Sequence, residues 1–121
     1  MNRLAWIAVF TALAQFLAVE AGAQESAASA DAHEGERLAL KICSACHLVS
    51  PEQPYQPVLR PPASSFAAIA NRSATTAQSL RKFLLTTHAT LKTPSNMPNP
   101  QLTDDQATAV VSYILSLKKR D

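Results

Sequence analysis

The sequence predicts an all-α domain. Three observations carry this: apolar residues recur at helical spacing in four segments, no run alternates as a half-buried strand does, and two proline-rich stretches break the chain between helices. The chain has 121 residues, the length of one domain.

The amino end reads as a targeting segment. Met1-Asn2-Arg3 gives a short positive start, an apolar run follows from Leu4 to Val19, and Ala21-Gly22-Ala23 places small residues where a signal peptidase reads them. Residues 1–23 therefore have the layout of a secretory signal peptide, cleaved after Ala23. The alternative is a retained membrane anchor, but the run of about 16 residues falls short of the roughly 20 that span a bilayer as a helix. Residues 24–31 are Ala, Ser, Glu, Gln and Asp without apolar periodicity, and read as a disordered leader. The domain proper covers residues 32–121.

Within it, a first helix fits Ala32 to Cys43, with Leu38, Ile42 and Ala45 at helical spacing and Glu34 and Glu36 in the first turn, where the helix dipole favours them. Pro51, Pro54, Pro57, Pro61 and Pro62 then exclude helix and require an extended loop. A short helix fits Ser64 to Asn71. Another fits Thr76 to Thr87, with Leu80, Phe83 and Leu84 grouped and Thr75 or Thr76 as its cap. A second loop runs from His88 to Leu102 with Pro94, Pro98 and Pro100. The last helix starts at Thr103, where Thr103-Asp104-Asp105-Gln106 is a capping box. Its apolar stripe is Ala107, Val110, Val111, Ile114 and Leu117.

The formal charge is +2. It stays so without the signal segment, because Arg3 and Glu20 leave together. A balance this weak argues neither for nucleic acid nor for a strongly polarised docking face, and no nucleic-acid partner is expected.

Cys43-Ser44-Ala45-Cys46-His47 is C-x-x-C-H, the signature of c-type haem attachment. Residues three apart on a helix lie on one face, so two sulfurs so placed can each form a thioether to one haem vinyl group. His47 follows at once, where its imidazole can ligate the iron. The rival readings fit less well. A thioredoxin-type motif wants a βαβ context. Zinc wants four ligands, and His33 and His88 are not spaced as a second pair. A disulfide across three residues closes too small a loop to stabilise much.

Met97 is the sole methionine once Met1 leaves with the signal. It sits in Ser95-Asn96-Met97-Pro98-Asn99-Pro100, and a lone methionine in a proline-flanked loop is poorly placed to fill gaps in a core. It is the candidate sixth ligand, a soft neutral thioether that raises the potential relative to two histidines. His88 is the competitor for that position, and its plainer reading is a solvated histidine at a helix end.

Taken together, these features resemble class I cytochromes c, the small monohaem proteins of bacterial periplasms. The resemblance runs from about Ala32 to Lys118. Cys43, Cys46 and His47 match the attachment site, Met97 the distal ligand in a Met-Pro segment, and Val111 to Leu117 the Val-x-Tyr-Ile-x-x-Leu run of the closing helix. It implies about four helices around one covalently bound haem c. It also implies a close crossing of the first and last helices, with Gly35 against Tyr113. A backbone carbonyl of Pro61 or Pro62 would accept from His47 Nδ1. Ala39 departs from the pattern, since the family usually has an aromatic residue there.

The expected function is one-electron transfer by a His47/Met97 haem in a periplasmic or respiratory redox chain, and not an enzyme by itself. Its partners would be redox proteins, a dehydrogenase donor and an oxidase or reductase acceptor. A membrane enters only if the signal segment is retained. Lys41, Lys82 and Lys92 either rim the haem edge to meet acidic partners or form an ordinary solvated surface. Two other functions remain open at this stage: a haem subunit of a periplasmic dehydrogenase, and a gas-binding haem protein with an open sixth site.

Overall fold

The computed structural model describes residues 26–86 and 97–119. The chain divides into two units, Met1–Ala30 and Asp31–Asp121. In the first, residues 26–30 are described and are helical. The predicted signal segment lies outside the described residues. Residues 26–31 are helical where composition predicts a disordered leader. Ala27, Ala28 and Ala30 carry the strongest intrinsic helix propensity, and residues 26–31 are exposed, so no apolar stripe marks the helix in the sequence.

In the second unit the described residues form four helices: α1 (31–42), α2 (Phe66–Ala70), α3 (Ala77–Leu85) and α4 (Asp104–Ser116). Among them there is no strand, only an isolated parallel bridge between His47 and Ala63. The all-α expectation therefore holds. No described helix is long and apolar enough to cross a membrane.

Helices α2, α3 and α4 each start where the sequence supplies a cap. Thr103 Oγ1 accepts from Gln106 N–H, and Gln106 Oε1 accepts from Thr103 N–H, completing the capping box at α4. Thr76, not Thr75, caps α3, through the same reciprocal pattern with Ser79. Ser65 Oγ accepts from Ala68 N–H at the start of α2.

Helix α4 is the spine of the core. Ala107, Val110, Val111 and Ile114 are buried as its stripe predicts, and Ala109 and Tyr113 join them. Helices α2 and α3 pack on it. Arg81 of α3 donates to Thr108 Oγ1 at 2.9 Å and pairs with Asp104 at 3.0 Å. Asn71, at the end of α2, accepts from Lys119 N–H at 2.9 Å.

Helix α1 meets α4 through small residues. A Cβ at Gly35 would lie 2.0 Å from the carbonyl oxygen of Ala109 and 2.8 Å from Tyr113 Cβ, so only glycine permits this approach. One turn on, Ala39 has no exposed surface. The face of α1 turned to the core is thus Gly35, Leu38, Ala39 and Cys43, whereas Ile42 and Ala45 stay more open than their spacing suggests.

The close approach sets Tyr113 in place. Its hydroxyl donates to Val49 O at 3.0 Å, across 64 residues of sequence. The Phe66 ring stands beside it at 6.3 Å and beside the His47 ring at 5.5 Å. Burial, and then the Glu36 and Glu52 carboxylates, raise the phenol above its ordinary value, against an opposing hydrogen bond from Ser50.

Two outcomes follow. Gly35→Ala should destabilise the protein by about 3 kcal/mol in denaturant unfolding, although alanine is the better helix former, because the added methyl meets backbone rather than a yielding side chain. Tyr113→Phe should cost about 1–2 kcal/mol near neutral pH, since it leaves the Val49 carbonyl without its donor. Because the folded phenol holds its proton more tightly, its stabilising effect is complete below the ordinary value of about 10 and is lost as pH rises through the raised folded value. The difference between the two proteins should therefore shrink in alkaline unfolding titrations.

Candidate cofactor site

Helix α1 ends at residue 42 and the motif continues it as a turn over residues 43–46. Cys43 N–H still donates to Ala39 O at 2.8 Å, and Cys46 and His47 N–H both donate to Cys43 O, at 3.1 and 2.9 Å. The last turn thus keeps the helical spacing that sets two sulfurs on one side. Both thiols are free, Cys43 buried and Cys46 partly so. Burial pushes the Cys43 thiol up to about 11, with Cys46 adding to it, so it stays protonated at neutral pH and is a slow nucleophile.

The first proline-rich stretch forms the support beneath this turn. Val58 and Leu59 N–H both donate to Ala45 O, at 2.8 and 3.1 Å, and Ala63 N–H donates to Cys46 O at 2.9 Å. The buried amide of Gln53 organises the loop from within: its Oε1 accepts from Val49 N–H at 2.8 Å and its Nε2 donates to Tyr55 O at 2.6 Å.

His47 Nδ1 lies 2.7 Å from the carbonyl oxygen of Ser64. The resemblance pointed to Pro61 or Pro62, and the structure corrects this. The bridge between His47 and Ala63 brings the chain alongside the histidine, so the carbonyl that faces the ring belongs to the residue after Ala63. With Nδ1–H committed to this acceptor, Nε2 is the nitrogen left to bind a metal.

These residues face a cavity of about 870 Å³, within the roughly 300–1,000 Å³ of sites that take a sizeable ligand. Cys43, Cys46 and His47 line it, and so does Met97. The structure therefore gathers all four predicted site residues on one cavity, although Met97 lies some fifty residues from the motif in sequence. Its other walls include Phe66, Ile69, Leu80, Leu84 and Ile114, which belong to or pack against the hydrophobic core. A large apolar cavity with two thiols and an imidazole on its lining suits haem c, whose ring needs dry walls and whose vinyl groups need thiols.

Beyond Met97 the loop is stiff. Pro98 and Pro100 flank Asn99, and Asn99 Oδ1 accepts from Gln101 N–H at 2.9 Å. That bond supports Gln101 in the left-handed region, at φ 53°, a conformation that ordinarily costs a non-glycine residue about 1 kcal/mol or more. His88 and residues 87–96, including Lys92, lie outside the described residues. Lys41 and Lys82 are exposed. Among the described residues, no three His, Cys, Asp or Glu side chains converge as a metal cluster.

Comparison with known proteins agrees with this geometry. The model of the cytochrome c family matches residues 32–118. The chain belongs to the cytochrome c family. It is also 34% identical over 98 residues to cytochrome c-552 of Bradyrhizobium diazoefficiens, a match that covers 81% of this chain and 86% of the relative. No solved structure matches it at comparable significance. As a cytochrome c it is a haem-based electron-transfer protein, a family that implies covalent haem c, and Cys43 and Cys46 fit the C-x-x-C-H motif.

Two residues of the site are not legible as such in the sequence. Ser64 acts through its backbone carbonyl, which carries no residue signature. Arg72 lines the cavity and donates to Ser64 Oγ at 2.6 Å. A serine and an arginine eight apart, on either side of a short helix, make no motif. For the motif itself, replacing both Cys43 and Cys46 by serine should abolish covalent attachment, read as loss of haem-associated peroxidase staining on a denaturing gel, while the wild-type band stains.

Proposed function

We propose that this cytochrome is an exported single-electron carrier whose one haem c is joined to Cys43 and Cys46 and ligated by His47 and Met97. The observation that carries the reading is that these four side chains line one largely apolar cavity. When bound, the haem supplies a reversible one-electron change at its iron.

The chain's residues make that change easy to repeat. Ser64 O holds the His47 imidazole in one tautomer and one orientation. Met97 offers a neutral sulfur from a loop stiffened by Pro98 and Pro100, so little has to move when the charge at the site changes. Phe66, Leu80 and Leu84 exclude water from the walls. The Ala-x-Ala segment at residues 21–23 supports export to the periplasm, where thioether attachment of haem takes place. The reading is of a carrier and not an enzyme, exchanging electrons with a donor and an acceptor that are themselves redox proteins.

The test is the spectrum of the exported protein. The ferric form should show the weak far-red band of methionine-sulfur ligation. Met97→Ala should remove it, lower the reduction potential, and let carbon monoxide bind the reduced form. A Met97→Ala spectrum identical to wild type would sink the assignment of Met97 and move attention to His88.

A further inference from the structure

The first proline-rich loop shows solvent an apolar surface that neither the core nor the ligand set uses. Tyr55 and Val58 are each 81% exposed, the most exposed large hydrophobic side chains among the described residues, and Leu59 follows at 46%. Pro54, Pro61 and Pro62 beside them are exposed too. Arg60 is the one charged residue between positions 53 and 65. Its Nη1 donates to the carbonyl oxygens of Pro57 and Leu59, so the charge is tied back onto its own loop. The surface is held in shape from beneath. Val58 and Leu59 N–H are fixed on Ala45 O within the C-x-x-C-H turn, and the buried Gln53 amide joins Val49 to Tyr55. Leu59 also lines the cofactor cavity, and so does the exposed Ile42, three residues before Ala45. The apolar loop thus reaches the cavity at Leu59.

We propose that this loop face docks transiently against a second copy of the same chain, and that one electron crosses from a reduced copy to an oxidised copy while they touch. The electron step rests on the haem reading above. Three observations select the occupant. A surface that meets its own copy about a two-fold axis is set opposite itself, so a free charge on it would meet its like. Here the one charge is tied back to two carbonyls of its own loop. A whole-molecule charge of only +2 leaves two copies little long-range repulsion to overcome. Size points to a brief encounter. The exposed apolar side chains are far fewer than the roughly 20–30 residues a side of a stable complex, and suit the small interfaces of electron-transfer encounters. A loop already braced by Ala45 O and Gln53 loses little freedom on docking. The step balances in itself: the electron lost by one copy is gained by the other, and no further reagent takes part.

The experiment uses the exported, haem-loaded chain, with covalent haem content measured first by mass. The fully reduced protein is diluted from millimolar to micromolar concentration while its backbone amide resonances are followed. The shifts should concentrate at residues 54–62 and at Ile42. Electron self-exchange is then measured by magnetisation transfer in mixtures of reduced and oxidised protein. The wild-type rate should change less than about twofold between low and physiological salt, because no free charge stands at the contact. Tyr55→Glu and Val58→Glu alter exposed side chains outside the core and the ligand set. Each should slow self-exchange roughly tenfold, since like charges then face each other. Gln78→Glu makes the same change of charge on exposed α3 and should leave the rate as in the wild type. Exchange between the Val58→Glu and Val58→Lys proteins should run faster than within either. Wild-type self-exchange in both Tyr55→Glu and Val58→Glu would overturn the proposal, and so would dilution shifts centred elsewhere on the molecule. A dimer that persists at micromolar concentration would overturn the transient contact. Absence of covalent haem in the wild-type chain would be a failure of the cofactor reading instead.

Discussion

The contact on which the structure depends is the backbone approach of α1 to α4 at Gly35. With no side chain there, the Ala109 carbonyl sits where a Cβ would otherwise be. The helices can then cross closely enough for Tyr113 to pass its hydroxyl to Val49 O, just beyond the C-x-x-C-H turn. Phe66 packs between Tyr113 and His47. The missing side chain at Gly35 thus sets α1 close against α4, and the C-x-x-C-H turn follows directly on α1.

The site and the core are one structure. Phe66, Leu80, Leu84 and Ile114 are core residues and cavity walls at once. A domain of this size has little apolar surface to bury by itself. A porphyrin ring among these side chains would add apolar area that the chain alone cannot provide. The cavity of about 870 Å³ beside α4 is where such a ring would find its apolar walls. The two proline-rich loops belong to the same arrangement. They are not connectors of convenience: one underpins the motif through Ala45 and Cys46, and the other presents Met97.

Fixed orientation recurs throughout the site. Gln53 braces the first loop from inside, Asn99 braces the second, and Arg72 braces the residue that braces His47. An electron carrier gains from such stiffness, because each movement that must accompany a change of charge adds to the barrier. These supports act mainly through amides, hydroxyls and backbone carbonyls, groups found in every loop of every protein. They were therefore invisible in the sequence, whereas the candidate ligands His47 and Met97 could be named from it.

The sequence by itself determined the chemistry and the order of elements. C-x-x-C-H is a local signal, because helical spacing alone decides that the two sulfurs share a face. The capping box at Thr103 and the stripe of α4 are local for the same reason. Tertiary structure decided what depends on distant residues meeting. It placed Met97 on the cavity of Cys43 and His47. It chose Ser64 over Pro61 and Pro62 as the acceptor, because the His47–Ala63 bridge sets the register between two segments that periodicity cannot align. It kept Leu38 inward as its spacing suggested but turned Ala39 in and left Ile42 exposed, since a close crossing selects for small size and hydrophobic periodicity registers only greasiness. The helix over residues 26–31, where composition suggested disorder, is by contrast a local matter, because alanine propensity needs no buried face to act.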